Sequence, residues 1–351
     1  MSRGLRILHI ADSHIGAGMP DRPRKSGRRR GDDIIDSYRR VLQRAREFDV
    51  DLVLHAGDVF DRPDPSPSLI AVACEPLLSL AADGIPVVVT PGNHERSILP
   101  NSLLLSHQNV YILARPRTIV LKLRGCRVAV TGMPCIRRQS AQRFPAALAE
   151  TNWEAAKADC RVLLLHQTIE SATCGPAGYR FRSGEDVIER DAIPAAFDYV
   201  ALGHIHRMQC LEPTLFDGAP LVYAGSPDRI SFAERDEPKG CMLVEERGGG
   251  LAARFLEHDV RPMRIVALDV TGLRRDELVN AVSESVASLP PRALARVRLT
   301  GRATRDVVRG LRLARHCCEL RPDASVAVSM EAVEFVPNRA LRRSNEARSS
   351  A

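Results

Sequence analysis

A layered α/β fold is the architecture this sequence predicts, on three observations. Apolar runs of strand length recur at residues 5–10, 51–55 and 85–90. Stretches with helical spacing separate them. Each run ends at aspartate, histidine or glycine. Buried strands alternating with helices are the pattern of a sheet that carries helices on its faces.

Taken in order, residues 5–10 form a strand that passes straight into Ala11-Asp12-Ser13-His14. The run is too short for the apolar core of a signal peptide. A basic stretch follows: Arg22, Arg24, Lys25, Arg28, Arg29 and Arg30. Asp32 is then placed to cap a helix reaching about Glu47, with Ile34, Ile35, Tyr38, Val41 and Leu42 at helical spacing. Residues 51–55 form a strand leading into Gly57-Asp58, residues 68–82 a helix, and residues 85–90 a buried strand leading into Pro91-Gly92-Asn93-His94. Strands at 110–113, 118–123 and 127–131, with a turn at Arg124-Gly125, precede a helix over 139–158. Strands at 162–165 and 197–202 end at His166 and at Gly203-His204.

From 208 to 258 the pattern is strands and turns, the latter at Asp217-Gly218 and at 248–250. After Arg261-Pro262 it changes to strand (264–270), helix (274–289), strand (295–299) and helix (304–314), which predicts a small second domain of α+β type. The expected division is a catalytic domain over 1–260, a second domain over 261–336 and a polar, disordered tail over 337–351.

At 351 residues and 44% hydrophobic content the chain can fill more than one core. No apolar run reaches membrane-spanning length, so a cytoplasmic protein is expected. Nine cysteines, an odd number without a CxxC pair, read as reduced thiols and not as a disulfide or zinc framework. The net charge of +7 favours a polyanionic partner. Only Lys25, Lys122, Lys157 and Lys239 are lysines, and such an arginine excess would equally follow from a GC-rich genome.

Five motifs carry chemistry. Asp12-x-His14 puts two ligand types at i and i+2, which face the same way on an extended chain. In Gly57-Asp58-x-x-Asp61 the glycine turns the chain off its strand, and the two oxygens of Asp58 suit a bridge between ions. Gly92-Asn93-His94-Glu95 offers a neutral oxygen ligand beside a proton donor. His166 ends a strand, and Gly203-His204-Ile205-His206 repeats the i, i+2 spacing with two imidazoles. Alone, the two aspartate motifs and the Asn93 motif also read as ordinary turns and His166 as a structural histidine, while the His204/His206 pair is by itself a moderate signal for a metal. Together, in this order and each after an apolar run, they point to one site at the carboxyl ends of strands.

This set resembles the calcineurin-like metallophosphoesterase superfamily, whose signature is D-x-H, G-D-x-x-D, G-N-H-[DE], H and G-H-x-H. The segment from Tyr223 to Gly240, with Gly225-Ser226-Pro227 and Glu234 to Lys239, narrows the resemblance to the SbcD/Mre-type DNA-repair nucleases. The likeness covers residues 5–260 well and the remainder loosely. It implies a four-layer β-sandwich flanked by helices, with a small C-terminal α+β capping domain.

The resemblance also implies two divalent ions, manganese by family and iron or zinc by ligand chemistry. One ion would take Asp12, His14 and His206, the other Asn93, His166 and His204, with Asp58 between them. His94 would protonate the leaving oxygen, and Asp61 would orient His94. The basic stretch Arg22–Arg30, which begins shortly after the first metal ligands, reads equally as a loop that contacts the phosphate backbone without reading sequence and as a flexible solvated loop. The implied partners are DNA, a coiled-coil SbcC-type ATPase and a second copy of the chain. Two departures stand out: Asp61 replaces the histidine of archaeal and eukaryotic members, and no partner-binding helix is evident after Phe335. A phosphatase or small-molecule phosphodiesterase of the same superfamily is the competing reading, although Pro63 stands where the phosphoprotein phosphatases carry glycine. A DNA-binding scaffold without metal is the weakest, since every ligand position is intact.

Overall fold

The structure is a computed structural model that describes residues 4–18, 29–96, 99, 107–211, 220–304 and 313–337. It divides into two compact units between Val260 and Arg261. The first contains β1 (Arg6–Ile10), α1 (Arg30–Glu47), β2 (Leu52–His55), α2 (Pro67–Ala82), β3 (Val87–Val89), β4 (Val110–Ile112), β5 (Arg117–Leu123), β6 (Cys126–Gly132), α3 (Ser140–Glu150) and β7 (Cys160–His166). It continues with a short hairpin, β8 (Thr173–Cys174) and β9 (Tyr179–Arg180), then β10 (Tyr199–Gly203), β11 (Gln209–Leu211), β12 (Leu221–Tyr223), β13 (Gly240–Arg247) and β14 (Gly250–Glu257).

Two six-stranded sheets form this unit, in the orders β14-β13-β1-β2-β3-β4 and β11-β12-β10-β7-β6-β5. Strands β1 to β4 are mutually parallel, as are β6, β7, β10 and β12. The sheets face each other across a core that joins Ile7, Leu52, Leu54 and Val88 of the first to Val130, Val162, Leu164 and Ala201 of the second. The alternate residues of the first sheet, Leu8, Ile10, Val53 and Val87, pack with Ile34, Tyr38 and Val41 of α1 and Leu77 of α2. On the second sheet, Leu163, Leu165 and Val200 pack with Phe144 and Leu148 of α3. The result is helix, sheet, sheet, helix: the four layers expected. Burial on both faces is why these strands read as nearly unbroken apolar runs.

The second unit contains β15 (Met263–Asp269), α4 (Arg275–Ala287), β16 (Leu294–Thr304), α5 (Leu313–Leu320) and β17 (Ser325–Val336). Its three strands are parallel in the order β15-β16-β17. The expected α+β unit thus takes a specific form, with helices alternating with strands, because parallel pairing needs a crossover at each step. Leu278, Val282 and Val286 of α4 close its core over Ala295, Val297 and Leu299.

Local expectations change in three places. Asp32 is not the residue before α1 but its third residue, where its carboxylate accepts from the Arg29 backbone N–H at 3.0 Å. The helix expected over 139–158 stops at Glu150, because Asn152 adopts φ 52 and a short 3-10 turn leads on to β7. Thr304, expected to begin a helix, ends β16; the helix is seen from Leu313, and residues 305–312 lie outside the described residues. The Asp217-Gly218 turn and all of the expected tail except Pro337 also lie outside them. Among the described residues no helix is long and apolar enough to cross a membrane.

Candidate metal centre

Parallel strands bring the five motifs together. The segments after β1 and β2 keep pairing beyond their strands: Asp12 N donates to Gly57 O (3.0 Å), His14 N to Asp58 O (3.0 Å) and Ile15 N to Val59 O (2.8 Å). His166 and Gly203 end β7 and β10 of the facing sheet and are register partners. The turn into the site is strained. Asp12 (φ 52), His14 (φ 44), Asp58 (φ 52) and His204 (φ 90) all occupy the left-handed region, at about 1–3 kcal/mol each. Such strain persists only where the surroundings over-determine it, here through the paired loops.

Two motif glycines make room for neighbouring ligands. A Cβ on Gly57 would lie 2.3 Å from His166 Nδ1, and one on Gly92 would lie 2.1 Å from Asp58 Oδ1. The glycine in each motif therefore admits the functional side chain of another.

All nine predicted residues of the inner site meet: Asp12, His14, Asp58, Asp61, Asn93, His94, His166, His204 and His206. Donor atoms of Asp12, His14 and His206 lie within 4.8 Å of one another, as do those of Asp12, Asp58 and His166, and those of His14, Asp58 and His94. Asn93 Oδ1 stands 2.9 Å from both His166 Nε2 and His204 Nδ1. Asp12 is held by the His204 N–H at 2.9 Å, and Asp58 Oδ1 by the His94 N–H at 3.0 Å.

The donor set fits cations. His166 donates from Nδ1 to the Ala56 carbonyl at 2.7 Å, so its Nε2 lone pair points at Asn93 Oδ1 and, 3.2 Å away, Asp58 Oδ2. Three acceptors converging in this way need a positive centre between them. With only a proton available, burial lowers the His166 pKa, but the Asp58 carboxylate outweighs it and lifts it to about 9. Asp58 itself is held well below the usual carboxylate range: burial raises it, and His166 and His14 override that. On the other side His14 Nε2 and His206 Nε2 are 3.0 Å apart. Burial pushes His204 down to about 3, which keeps it a neutral ligand. Mixed carboxylate, amide and imidazole donors suit manganese, iron or zinc. These overlapping donor clusters are consistent with two divalent ions.

His94 differs from the rest: its side chain is 41% exposed, against 1% for His14. Its Nδ1 donates to the backbone carbonyl of Asp61 at 2.9 Å, whereas the Asp61 carboxylate is 4.0 Å from it and 3.6 Å from His14 Nδ1. The contact expected of the Asp61 side chain is thus made by its main chain.

The basic stretch separates. Arg22, Arg24, Lys25 and Arg28 lie outside the described residues. Arg30 does not extend a phosphate-binding loop: it is the first residue of α1, and its guanidinium is committed to the buried Asp228 carboxylate and the Arg229 carbonyl. Arg29 precedes the helix.

Three residues received no role from sequence reasoning. Glu95, buried, accepts from Gly92 N (2.7 Å) and Phe60 N (2.9 Å) and ties two motif loops together. Burial, with the Asp58 charge, pushes its carboxyl up to about 8. Glu234 receives His206 Nδ1 at 3.1 Å, and Lys239 reaches Glu234 at 2.7 Å. Burial raises the Glu234 pKa, but the His206 and Lys239 contacts prevail and hold it at about 2. The signal available was a lysine and an acid between apolar strands, within the segment that carries the family likeness.

The domain model of the calcineurin-like phosphoesterases matches residues 5–208. The DNA double-strand break repair protein Mre11 of Methanopyrus kandleri is 27% identical over 87% of this chain and 70% of its own. The proteins of the same name from Sulfurisphaera tokodaii (28%, covering 77% and 67%) and Saccharolobus solfataricus (26%, covering 78% and 69%) are similarly related.

Proposed function

The chain belongs to the calcineurin-like phosphoesterase family, and from that premise we propose that it is a two-metal DNA nuclease of the SbcD/Mre type, acting in DNA repair in the cytoplasm with manganese as its ions. One observation carries the reading: metal-ligating side chains from five loops meet at the carboxyl ends of two facing sheets, a donor set that suits divalent cations. The DNA-repair relatives, alike over most of this chain, support DNA as the substrate.

Asp12, His14 and His206 would hold one ion and Asn93, His166 and His204 the other, with Asp58 shared between them. When bound, two divalent ions supply Lewis acidity to the phosphoryl oxygens and a hydroxide nucleophile near neutral pH. Asp12 and Asp58 are the two carboxylates of that set, so the loaded site stays positive and attracts a phosphodiester. His94, at the exposed rim, gives the leaving sugar oxygen its proton. Because Nδ1 is committed to the Asp61 carbonyl, the proton leaves from Nε2, and the ring must be an imidazolium when it acts. Residues 1–260 form the nuclease domain, residues 261–336 a cap over the duplex, and the basic residues before α1 a contact to phosphates.

The experiment is a side-by-side assay of the manganese-loaded protein on duplex DNA, single-stranded DNA and a bis-aryl phosphodiester. Metal-dependent cleavage of DNA is expected. Turnover of the aryl diester with no cleavage of either DNA would leave the small-molecule phosphodiesterase reading in its place.

A further inference from the structure

Behind His206 the chain buries a lysine. Lys239 is 1% exposed, and its ammonium donates to Glu234 Oε2 (2.7 Å), Ser226 Oγ (2.8 Å) and the His206 carbonyl (2.9 Å). Glu237 Oε2 is a fourth, more distant acceptor at 3.5 Å, so the three protons of the ammonium are all engaged. A buried ammonium is costly unless paired, and Glu234, 9% exposed, is its nearest carboxylate. The other Glu234 oxygen, Oε1, accepts from His206 Nδ1 at 3.1 Å. A carboxylate has no proton to give, so Nδ1 of His206 carries one, and in the neutral ring the lone pair is then on Nε2. That lone pair faces His14 Nε2, in the cluster that includes Asp12.

We propose that Glu234, clamped by Lys239, is a positioning residue for one of the two metal positions, that of Asp12, His14 and His206; this rests on the two-metal reading above. Lys239 holds the Glu234 side chain and the His206 backbone at once, so ring, tautomer and main chain of one ligand are set by a single buried cation. The other position is built differently. There the Nδ1 proton of His166 goes to a neutral acceptor, the Ala56 carbonyl. A carboxylate behind an imidazole makes it a stronger donor than a carbonyl does, and losing such a partner typically weakens metal affinity ~10–100-fold. The loss on removing Glu234 should therefore fall on one ion of the pair.

The test is equilibrium dialysis of the full-length, metal-stripped protein against manganese chloride alone, with heat unfolding of the metal-free protein measured in parallel. Wild type should bind two ions. Glu234→Ala should hold one normally and the other ~10–100-fold more weakly, and Glu234→Gln, which keeps an acceptor for Nδ1, should recover most of that loss. Removing the acid alone leaves Lys239 with only the more distant Glu237 carboxylate at 3.5 Å, so the pair Glu234→Ala/Lys239→Met and Glu234→Gln/Lys239→Met repeats the comparison without the buried ammonium, Glu237 keeping Arg207 as its partner at 3.0 Å. Wild-type affinity at both positions in the Ala/Met variant would overturn the positioning role. So would equal weakening of both positions with a lower melting temperature, or loss of cooperative unfolding in both double variants, since each marks a structural ion pair. Wild type that binds no manganese would remove the two-metal reading itself, and the proposal with it.

Discussion

His94 donates from Nδ1 to the backbone carbonyl of Asp61 at 2.9 Å, while the carboxylate of the same residue stands 4.0 Å from that nitrogen. A main-chain acceptor fixes the ring without lending it charge. His94→Gln should therefore retain both ions and lose about 10²–10⁴-fold in phosphodiester cleavage, with a smaller deficit on an aryl substrate whose leaving group needs little protonation. Asp61→Asn, which leaves the carbonyl in place, should cost far less. Rates on good and poor leaving groups check both statements; equal losses for the two variants would make the carboxylate the essential partner.

Asp12 and Asp58 each belong to clusters on both sides of the site, but Asp58 Oδ2 faces the free nitrogens of both His166 (Nε2, 3.2 Å) and His14 (Nε2, 3.7 Å), whereas Asp12 meets His166 only at Nδ1 (3.9 Å), the nitrogen committed to the Ala56 carbonyl. Asp58→Asn should consequently reduce occupancy of both ions, and Asp12→Asn chiefly that of one. Metal analysis of the purified variants decides this, and two fully bound ions in Asp58→Asn would remove the bridging role.

The metal-free site should respond to pH through His166. Its folded pKa, about 9, stands above the unfolded value of 6.5. The stabilisation it contributes is fully present below about pH 6.5 and is lost as pH rises through about 9. Relative to His166→Asn, the stripped wild type should thus lose melting temperature across that window. Manganese uptake should strengthen over the same range, because the Nε2 proton has to leave before an ion can enter. A melting difference that stays flat from pH 6 to 9 would contradict the assignment.

Arg30 and the basic residues before it should behave differently. Its guanidinium pairs with a carboxylate that is 2% exposed, so Arg30→Ala should destabilise the fold by roughly 1.5–3 kcal/mol, as for removal of a hydrogen bond to a charged group. Replacing Arg22, Arg24, Lys25 and Arg28 by alanine should instead lower the salt slope of duplex binding by ~0.9 for each phosphate no longer neutralised. Denaturant unfolding and a salt titration of DNA affinity separate the two effects. A quadruple variant that binds duplex normally at every salt concentration would leave those residues without a role in holding DNA.

Much of the site was legible in the sequence because its information is local. Asp12, His14, Asp58, Asn93, His166, His204 and His206 each follow an apolar run, and a parallel sheet delivers the carboxyl ends of its strands to one edge whatever the details of packing. The same locality explains β1, β2 and β3, buried on both faces and written as apolar runs. It also explains what was missed. β17 alternates serine, valine and glutamate over a half-exposed sheet, a pattern too weak to mark a strand. Arg30 meets Asp228, and His206 meets Glu234 and Lys239, only because β13 returns antiparallel beside β1 and carries its preceding loop behind the site. Which oxygen of Asp61 holds His94 depends on angles that no spacing records. Residue type and strand order decided which atoms could bind metal; the register and packing of distant strands decided which partners stand behind them, since a hydrogen bond changes identity over about an ångström.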